Sequence, residues 1–308
     1  MKNFSVLAFF SSSTCNLVLS VFAFSITLIS PLDSIAGQTK QLRYNLLPGE
    51  SYNYTSTTEI KQIVSEMQFT MGTVVATTIK TDVQSIDNNH STLGVGYSDT
   101  KITTSGMAMA GIPDGTTNYD DFSNNNETLI LTDRGETLSR DLKTSKKKGK
   151  LSPIERNAQS AVKALSYLFT EFPEKPLKIG DSWMITRNDT IGGKSDNQIL
   201  STIKLQYTLA NYTDTLGFAC ARLKCHSITS TTSGTIEMMG RSMNFEGDGS
   251  LIGTVYVELS TGMTLVSTID NQIDMRISMG GQDGMIVPIT VNTHSFVNRM
   301  PSSSTEQK

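Results

Sequence analysis

The chain has 308 residues, enough for one large β domain or two small ones. Charged residues make up 18% and the formal net charge is −3, so the sequence offers no basic face for a nucleic acid. Ser, Thr, Asn and Gly are plentiful, as in extracytoplasmic β proteins with many exposed turns.

Residues 1–36 read as an export signal. Lys2 supplies a short positive start, apolar runs follow at 6–10 and 17–29, and Ser34-Ile35-Ala36 offers a small-x-small cleavage site. A polar break from Ser11 to Asn16 interrupts the apolar run, and a retained anchor is the rival reading. The 17–29 run is short for a spanning helix, which needs about 20 apolar residues. Cys15 follows Ser12-Ser13-Thr14 and lacks the aliphatic position of a lipoprotein signal. The expected organisation is a signal over 1–36 and one β-rich domain over 37–308. That domain comprises a first half 42–145, a linking helix 152–172 and a second half 177–300. The expected location is outside the cytoplasm, periplasmic or extracellular, with no transmembrane segment after cleavage.

Most of the remaining chain alternates at period two. The runs YNYTSTTEI, TVVATTIKTDVQSI and TLGVGYSDTKITTSG read as strands in the first half. ILSTIKLQYTLANY, TLGFACARLKCHSITSTTSG, SLIGTVYVELSTG, MTLVSTIDNQIDMRIS and MIVPITVNTHSFV do so in the second. Turns are expected at Asp87-Asn88-Asn89, Asn211 to Asp214, Gly247-Asp248-Gly249 and Ser260-Thr261-Gly262. Gly192-Gly193 and Gly280-Gly281 also suit turns.

One segment is different. In 152–172, Ser152, Pro153 and Glu155 make a helix start, and Pro173 makes a stop. Ile154, Ala158, Ala161, Val162, Leu165, Leu168, Phe169 and Phe172 share one face, which an amphipathic helix would pack on the concave side of a sheet. The basic run Lys146 to Lys150 just before it reads as a solvated loop, with a contact to anionic headgroups as the alternative.

Two short stretches share their punctuation: Gly49-Glu50-Ser51-Tyr52 and Gly180-Asp181-Ser182-Trp183. After each come Thr-Ile-Lys, Thr-Leu-Gly and Thr-Thr-Ser-Gly in order, which reads as an internal repeat of one β unit. The glycine lets the chain turn into the sheet and the following aromatic plugs the core. Trp183, the only Trp, is expected to bury its ring and bond its N–H.

Catalytic spacing is missing from the sequence. His90, His226 and His294 fall in no metal-ligand pattern, no Gly-x-Ser-x-Gly occurs, and no phosphate-cradling glycine loop is present. Asp121 to Glu127 and Gly247 to Gly249 read as polar turns before they read as metal loops. Cys220 and Cys225 are five apart, about 17 Å in an extended strand, too far for a disulfide unless the chain turns between them. No cofactor and no metal is expected. Sequons at Asn53, Asn89, Asn126, Asn188 and Asn211 matter only in a host that glycosylates exported proteins.

The methionines are more informative. Met67 and Met71, Met239 and Met243, and Met275 and Met279 are each four apart, so each pair shares one strand face. Ordinary core, an adaptable apolar cavity and a soft copper(I) site compete for them. The candidate cavity lining is Met67, Met71, Met239, Met243, Met275, Met279, Leu165 and Phe169.

On Leu42-Arg43-Tyr44, the Gly49 to Tyr52 turn and FPEKPLKIGDSW in mid-chain, residues 42–300 resemble an uncharacterised bacterial family of secreted, β-rich proteins classed as a domain of unknown function. The resemblance implies export and a large antiparallel sheet, and it brings no catalytic residues. A weaker, fold-level similarity is to periplasmic half-barrel carriers of lipids and lipoproteins. The expected fold is mainly β: one large curved antiparallel sheet or half-barrel from two related halves, with the helix on its concave face. The expected function is non-enzymatic, binding or carrying an apolar or lipid ligand in the cell envelope. A structural or protein-interaction module of the envelope is the first alternative. The second is a hydrolase whose site forms only in the fold.

Overall fold

A computed structural model describes residues 39–106, 108, 113–119, 126–143, 168–194, 197–238, 241–279 and 285–301. The chain divides into units at 1–38 and 39–308, and the description concerns the second. The strands are β1 (Ser51–Val64), β2 (Phe69–Asp87), β3 (His90–Ser105), β4 (Gly115–Tyr119), β5 (Asn126–Thr132) and β6 (Thr137–Lys143). They continue as β7 (Ser182–Lys194), β8 (Asn197–Thr215), β9 (Phe218–Met238), β10 (Arg241–Glu258), β11 (Thr264–Met279) and β12 (Ile286–Arg299).

All twelve form one antiparallel sheet in the order β6-β5-β3-β2-β1-β12-β11-β10-β9-β8-β7, with β4 paired to β3 off that path. Each half is a meander, as the period-two runs demanded. The halves meet where β12 pairs with β1 over the register from Tyr54↔Arg299 to Val64↔Ile289. The described strands leave β6 and β7 as the two edges.

The shared punctuation makes the same bonds twice. Gly49 and Gly180 both have positive φ, +89° and +93°. The N–H groups of Leu47 and Lys178 donate to the carboxylates of Glu50 and Asp181, at 2.9 and 3.0 Å. The N–H groups of Gly49 and Gly180 donate to the carbonyls of Val83 and Leu209, both at 2.8 Å. Each turn thereby fastens its own strand to the next before the ladder starts. Further along, the likeness ends. Gly106 turns at the end of β3 with positive φ, whereas Gly234 is extended inside β9.

The turns at Asn88-Asn89 and around Thr261 are as expected, and both Asn have positive φ. Three expected turns are strand instead. Asn211 to Asp214 continues β8, with a register shift between Leu209 and Asn211, and the chain turns only at Leu216-Gly217. Gly192-Gly193 lies within β7. Gly247 to Gly249 lies within β10. There the glycines serve close approach: a Cβ on Gly247 would fall 2.7 Å from Met275 Cγ, and one on Gly249 would fall 2.7 Å from Gln272 O. Gly280-Gly281 lies outside the described residues. So do residues 152–167 of the expected helix. The described remainder, 168–172, carries no α-helical turn, but Leu168, Phe169 and Phe172 are buried as an apolar face requires.

The bonds at one end require the sheet to roll. Tyr44 N donates to Asp133 O in the β5–β6 turn at 2.7 Å, and Asn45 N donates to Thr261 O in the β10–β11 turn at 3.0 Å. In a flat sheet those turns would lie at least five strand spacings apart, roughly 24 Å. Residues 169–172 likewise touch both margins. Phe172 N donates to Arg134 O at 2.7 Å, Trp183 Nε1 on β7 donates to Glu171 O at 2.8 Å, and Arg187 Nη2 on β7 donates to Phe169 O at 2.9 Å. Two stretches, 40–46 and 168–177, therefore lie across the inside of this closed end, joined by the Lys40–Leu177 bridge.

Their apolar residues fill it. Leu42, Tyr44, Leu46, Leu168, Phe169, Phe172 and Leu177 join one core with Tyr54, Ile79, Leu93, Leu131, Tyr207 and Leu223. Tyr44 stacks on Phe172 at 5.2 Å and donates to Thr170 O at 3.1 Å. Trp183 stacks on Tyr207 at 5.5 Å, its N–H bonded as expected.

Candidate functional site

The same inner face continues past the core toward the opposite end, where β1, β3 and β9 finish. In β11 the inward residues run Leu265, Ser267 and Ile269, all buried, then Asn271, Ile273, Met275 and Ile277, all half-buried. In β12 they run Val297 and Ser295, buried, then Thr293, Val291, Ile289 and Val287, half-buried. Phe245 and Met243 on β10 and Met71 on β2 are half-buried in the same way. Alternation produces this surface, because period two keeps the same side of each strand inward along its whole length. The described residues stop covering it about halfway along.

The candidate lining residues separate accordingly. Register places Met243 against Met279 and Met275 against Ile289, on adjoining strands at the open end. Met71 pairs with Gln62 on β1. Phe169 is elsewhere, 7% exposed in the closed-end core and 6.4 Å from the Tyr44 ring. The side chains of Met67 and Met279, and the whole of Met239 and Leu165, lie outside the described part.

Two charged pairs lie within the fold, one at a margin of the sheet and one at its closed end. Glu127 on β5, 2% exposed, accepts bonds from Tyr97 at 3.1 Å and from both Nε and Nη2 of Arg140 on β6. Burial would lower the Arg140 pKa, but its bonds to Glu127 prevail and raise it, with Asp189 of β7 adding to the effect. The open edges β6 and β7 thus lie within electrostatic reach of one another. At the closed end, Glu258 accepts from Arg299 at 2.5 Å, from Thr261 at 2.9 Å and from Ser260. Arg299 lies over the Tyr52 ring at 4.7 Å and the Phe218 ring at 5.0 Å. Sequence reasoning missed both pairs, because the period-two runs left out β5 and β6, and Glu258 and Arg299 lie on strands that only the fold brings together.

A second concavity lies on the outer face, across β10, β11, β12 and β1. It has a volume of about 360 Å³ and is lined by Glu59, Lys61, Ser250, Ile252, Asp270 and His294 among others. His294 Nδ1 and Asp270 Oδ1 are 2.6 Å apart, both side chains about half-exposed. The register sets Asp270 between His294 and Ile252, and Glu59 on the other side of His294. Ser250 is two strands from His294, roughly 10 Å. The imidazole is flanked by carboxylates, and among the described residues no hydroxyl of the groove is placed to surrender a proton to it as a nucleophilic triad requires.

The remaining candidates are inert. Cys220 and Cys225 are free and buried, and burial pushes the Cys225 thiol up to about 11. Among the described residues no group of His, Cys, Asp and Glu is arranged to hold a metal ion. No described helix is long and apolar enough to cross a membrane, which says nothing of strands.

Comparison with solved structures gives low scores. Lipovitellin, from a structure titled for its lipid–protein interactions, has a TM-score of 0.45 at 11% identity, covering 83% of this chain and 25% of its own. This chain therefore spans about a quarter of the lipovitellin chain. The β domain of the Bordetella autotransporter BrkA scores 0.22 at 10% identity, with 80% of this chain and 98% of that one covered. An outer membrane channel from Pseudomonas putida F1 scores 0.23 at 10% identity, with coverage of 83% and 97%. The functional reading rests on this chain's own residues and takes nothing from these likenesses. No curated protein matches. Residues 154–264, from the linking segment through the β10–β11 turn, match the model of a family of unknown function, DUF6263, in keeping with the resemblance to an uncharacterised domain.

Proposed function

We propose that the protein is an exported, non-enzymatic carrier that holds an apolar or lipid ligand against the open half of its inner sheet face. The observation behind this is the run of half-buried Met, Ile, Val and Phe on β10, β11 and β12, continuous with a fully buried core. At about 25 cal/mol per Å², covering such a surface stabilises whatever covers it. Met71, Met243 and Met275 suit ligands of varied shape. In this reading the rolled sheet is a half-barrel of two related halves, and Met67, Met239 and Met279 extend its lining.

The linking helix completes the proposal. The chain leaves β6 at Lys143, which the register carries through Asn126 to Gly96 midway along β3, and returns at Leu168, whose carbonyl accepts from Thr264 Oγ1 at 2.6 Å at the closed end. A helix over 152–167 between those points would run along the inner face, about 24 Å of it. Its apolar stripe, Leu165 included, then shares that face with the ligand and forms one wall of the cleft, with Phe169 at the floor.

The test is native mass spectrometry of protein purified without detergent, followed by organic extraction and lipid analysis. A stoichiometric apolar passenger supports the carrier. A bare mass that persists after incubation with envelope lipids sinks it and favours an interaction module.

A further inference from the structure

Between the buried core and the open apolar half, the inner face is crossed by a polar row. Register aligns Leu251, Asn271, Thr293, Ile60, Thr73 and Thr104 across six strands. Four of the six are polar. Thr73 and Thr104 are buried, and the Thr104 hydroxyl donates to the carbonyl of Pro113 at 3.0 Å. Asn271 is not satisfied in this way: its Oδ1 is shut off from solvent and has no hydrogen-bond partner among the described residues. A buried amide oxygen left so costs roughly 1–3 kcal/mol, so the position waits for a donor.

The surroundings restrict what that donor belongs to. From β8 through β12 and β1 to β2, every described inward side chain beyond this row is apolar, glycine or a neutral polar residue. Arg187 and Asp189, which also alternate inward, belong to β7 at the margin, where the Arg187 guanidinium bonds Phe169 O, and Arg299 lies at the closed end, paired with Glu258. A charged head brought to Asn271 would lose its hydration with no opposite charge beside it. A neutral hydroxyl or amide N–H would lose little and gain the missing bond.

We infer that the carried ligand is an uncharged amphiphile, bound polar end inward: a hydroxyl or amide N–H donates to Asn271 Oδ1, and the hydrocarbon chain extends over Ile273, Met275 and Ile277 toward the open end. This rests on the carrier reading and adds to it the class and orientation of the ligand.

The experiment is displacement of the neutral fluorophore N-phenylnaphthylamine from the full protein at neutral pH by dodecanol, dodecyl methyl ether and dodecanoate. Dodecanol should compete about tenfold more strongly than the ether, which keeps the chain and the oxygen but lacks the donor. Dodecanoate should be the weakest of the three. In Asn271→Leu, the difference between alcohol and ether should disappear. Equal competition by alcohol and ether in the unaltered protein, or strongest competition by dodecanoate, overturns the inference and leaves the carrier standing. If none of the three binds, both readings fall. The comparison of ligands needs no variant, so a poorly folding Asn271→Leu does not weaken it.

Discussion

At the closed end Tyr44, Tyr54 and Phe172 are covered on every side, whereas on the same sheet face Met275, Ile277 and Ile289 are half-exposed. Composition does not separate the two ends, since both are apolar inward. The difference is what crosses them. Segments 40–46 and 168–177 bring Tyr44, Phe169 and Phe172 into one end and tie the sheet margins to themselves through backbone bonds. The lesson is that a rolled sheet of this size needs chain inside it to make a core, and that stability and ligand capacity then belong to opposite ends of the same strands.

The sharpest test of that division is Tyr44→Ala. It removes a buried ring stacked on Phe172 and its bond to Thr170 O, and should cost about 3–5 kcal/mol in urea unfolding. A loss comparable to that of an exposed residue would deny that the closed end holds the fold.

Glu258→Gln comes next, at about 1–3 kcal/mol at neutral pH. Burial would raise the Glu258 pKa, but bonds from Ser260, Arg299 and Thr261 outweigh it and hold the group below its ordinary value of 4.5. A depressed folded pKa contributes stability that is full above about 4.5 and is lost as pH falls through the folded value. The gap between the two proteins should therefore close in acid, and a gap constant from pH 7 to pH 3 would refute the assignment.

Gly49→Ala and Gly180→Ala should each cost about 1–2 kcal/mol. A Cβ at either position meets nothing within 4 Å, so the cost is that of positive φ alone. Similar losses at both sites would show that the two turns do equal work.

Met275→Ala should cost the least, under about 1 kcal/mol, because its side chain is only half-buried. Its effect should appear instead as weaker retention of N-phenylnaphthylamine. A large stability loss without any change in probe binding would move the open end into the core.

Much of this was legible in the sequence. The alternating runs marked β1, β2, β3 and β8 to β12 but not β4 to β7, and Gly49 and Gly180 marked the two points where the chain turns into the sheet. Trp183 bonds its N–H and buries much of its ring because a large amphipathic ring after such a turn has few other options. Gly247 and Gly249 misled, since a glycine that permits a turn and one that permits close approach look alike until the neighbouring strand is known. The pairing of β12 with β1 was invisible for a related reason: period two tells which face a residue takes and nothing of which strand lies beside it. Asn271 was one polar residue within a strand, and only the register placed it in a row with Thr293 and Thr73.

The join at the middle of the sheet also governs how the chain must assemble. Thr58 and Ser295, whose hydroxyls meet at 3.2 Å, are separated by 237 residues. During synthesis β1 emerges early and pairs with β2, but its other edge stays bare until the last strand has left the ribosome. That edge is fourteen residues long and presents a row of unpaired N–H and C=O groups for the whole interval. Closing so long a loop is slow. A chain truncated before β12 would keep nearly all of its strands and still expose a template for aggregation at its centre.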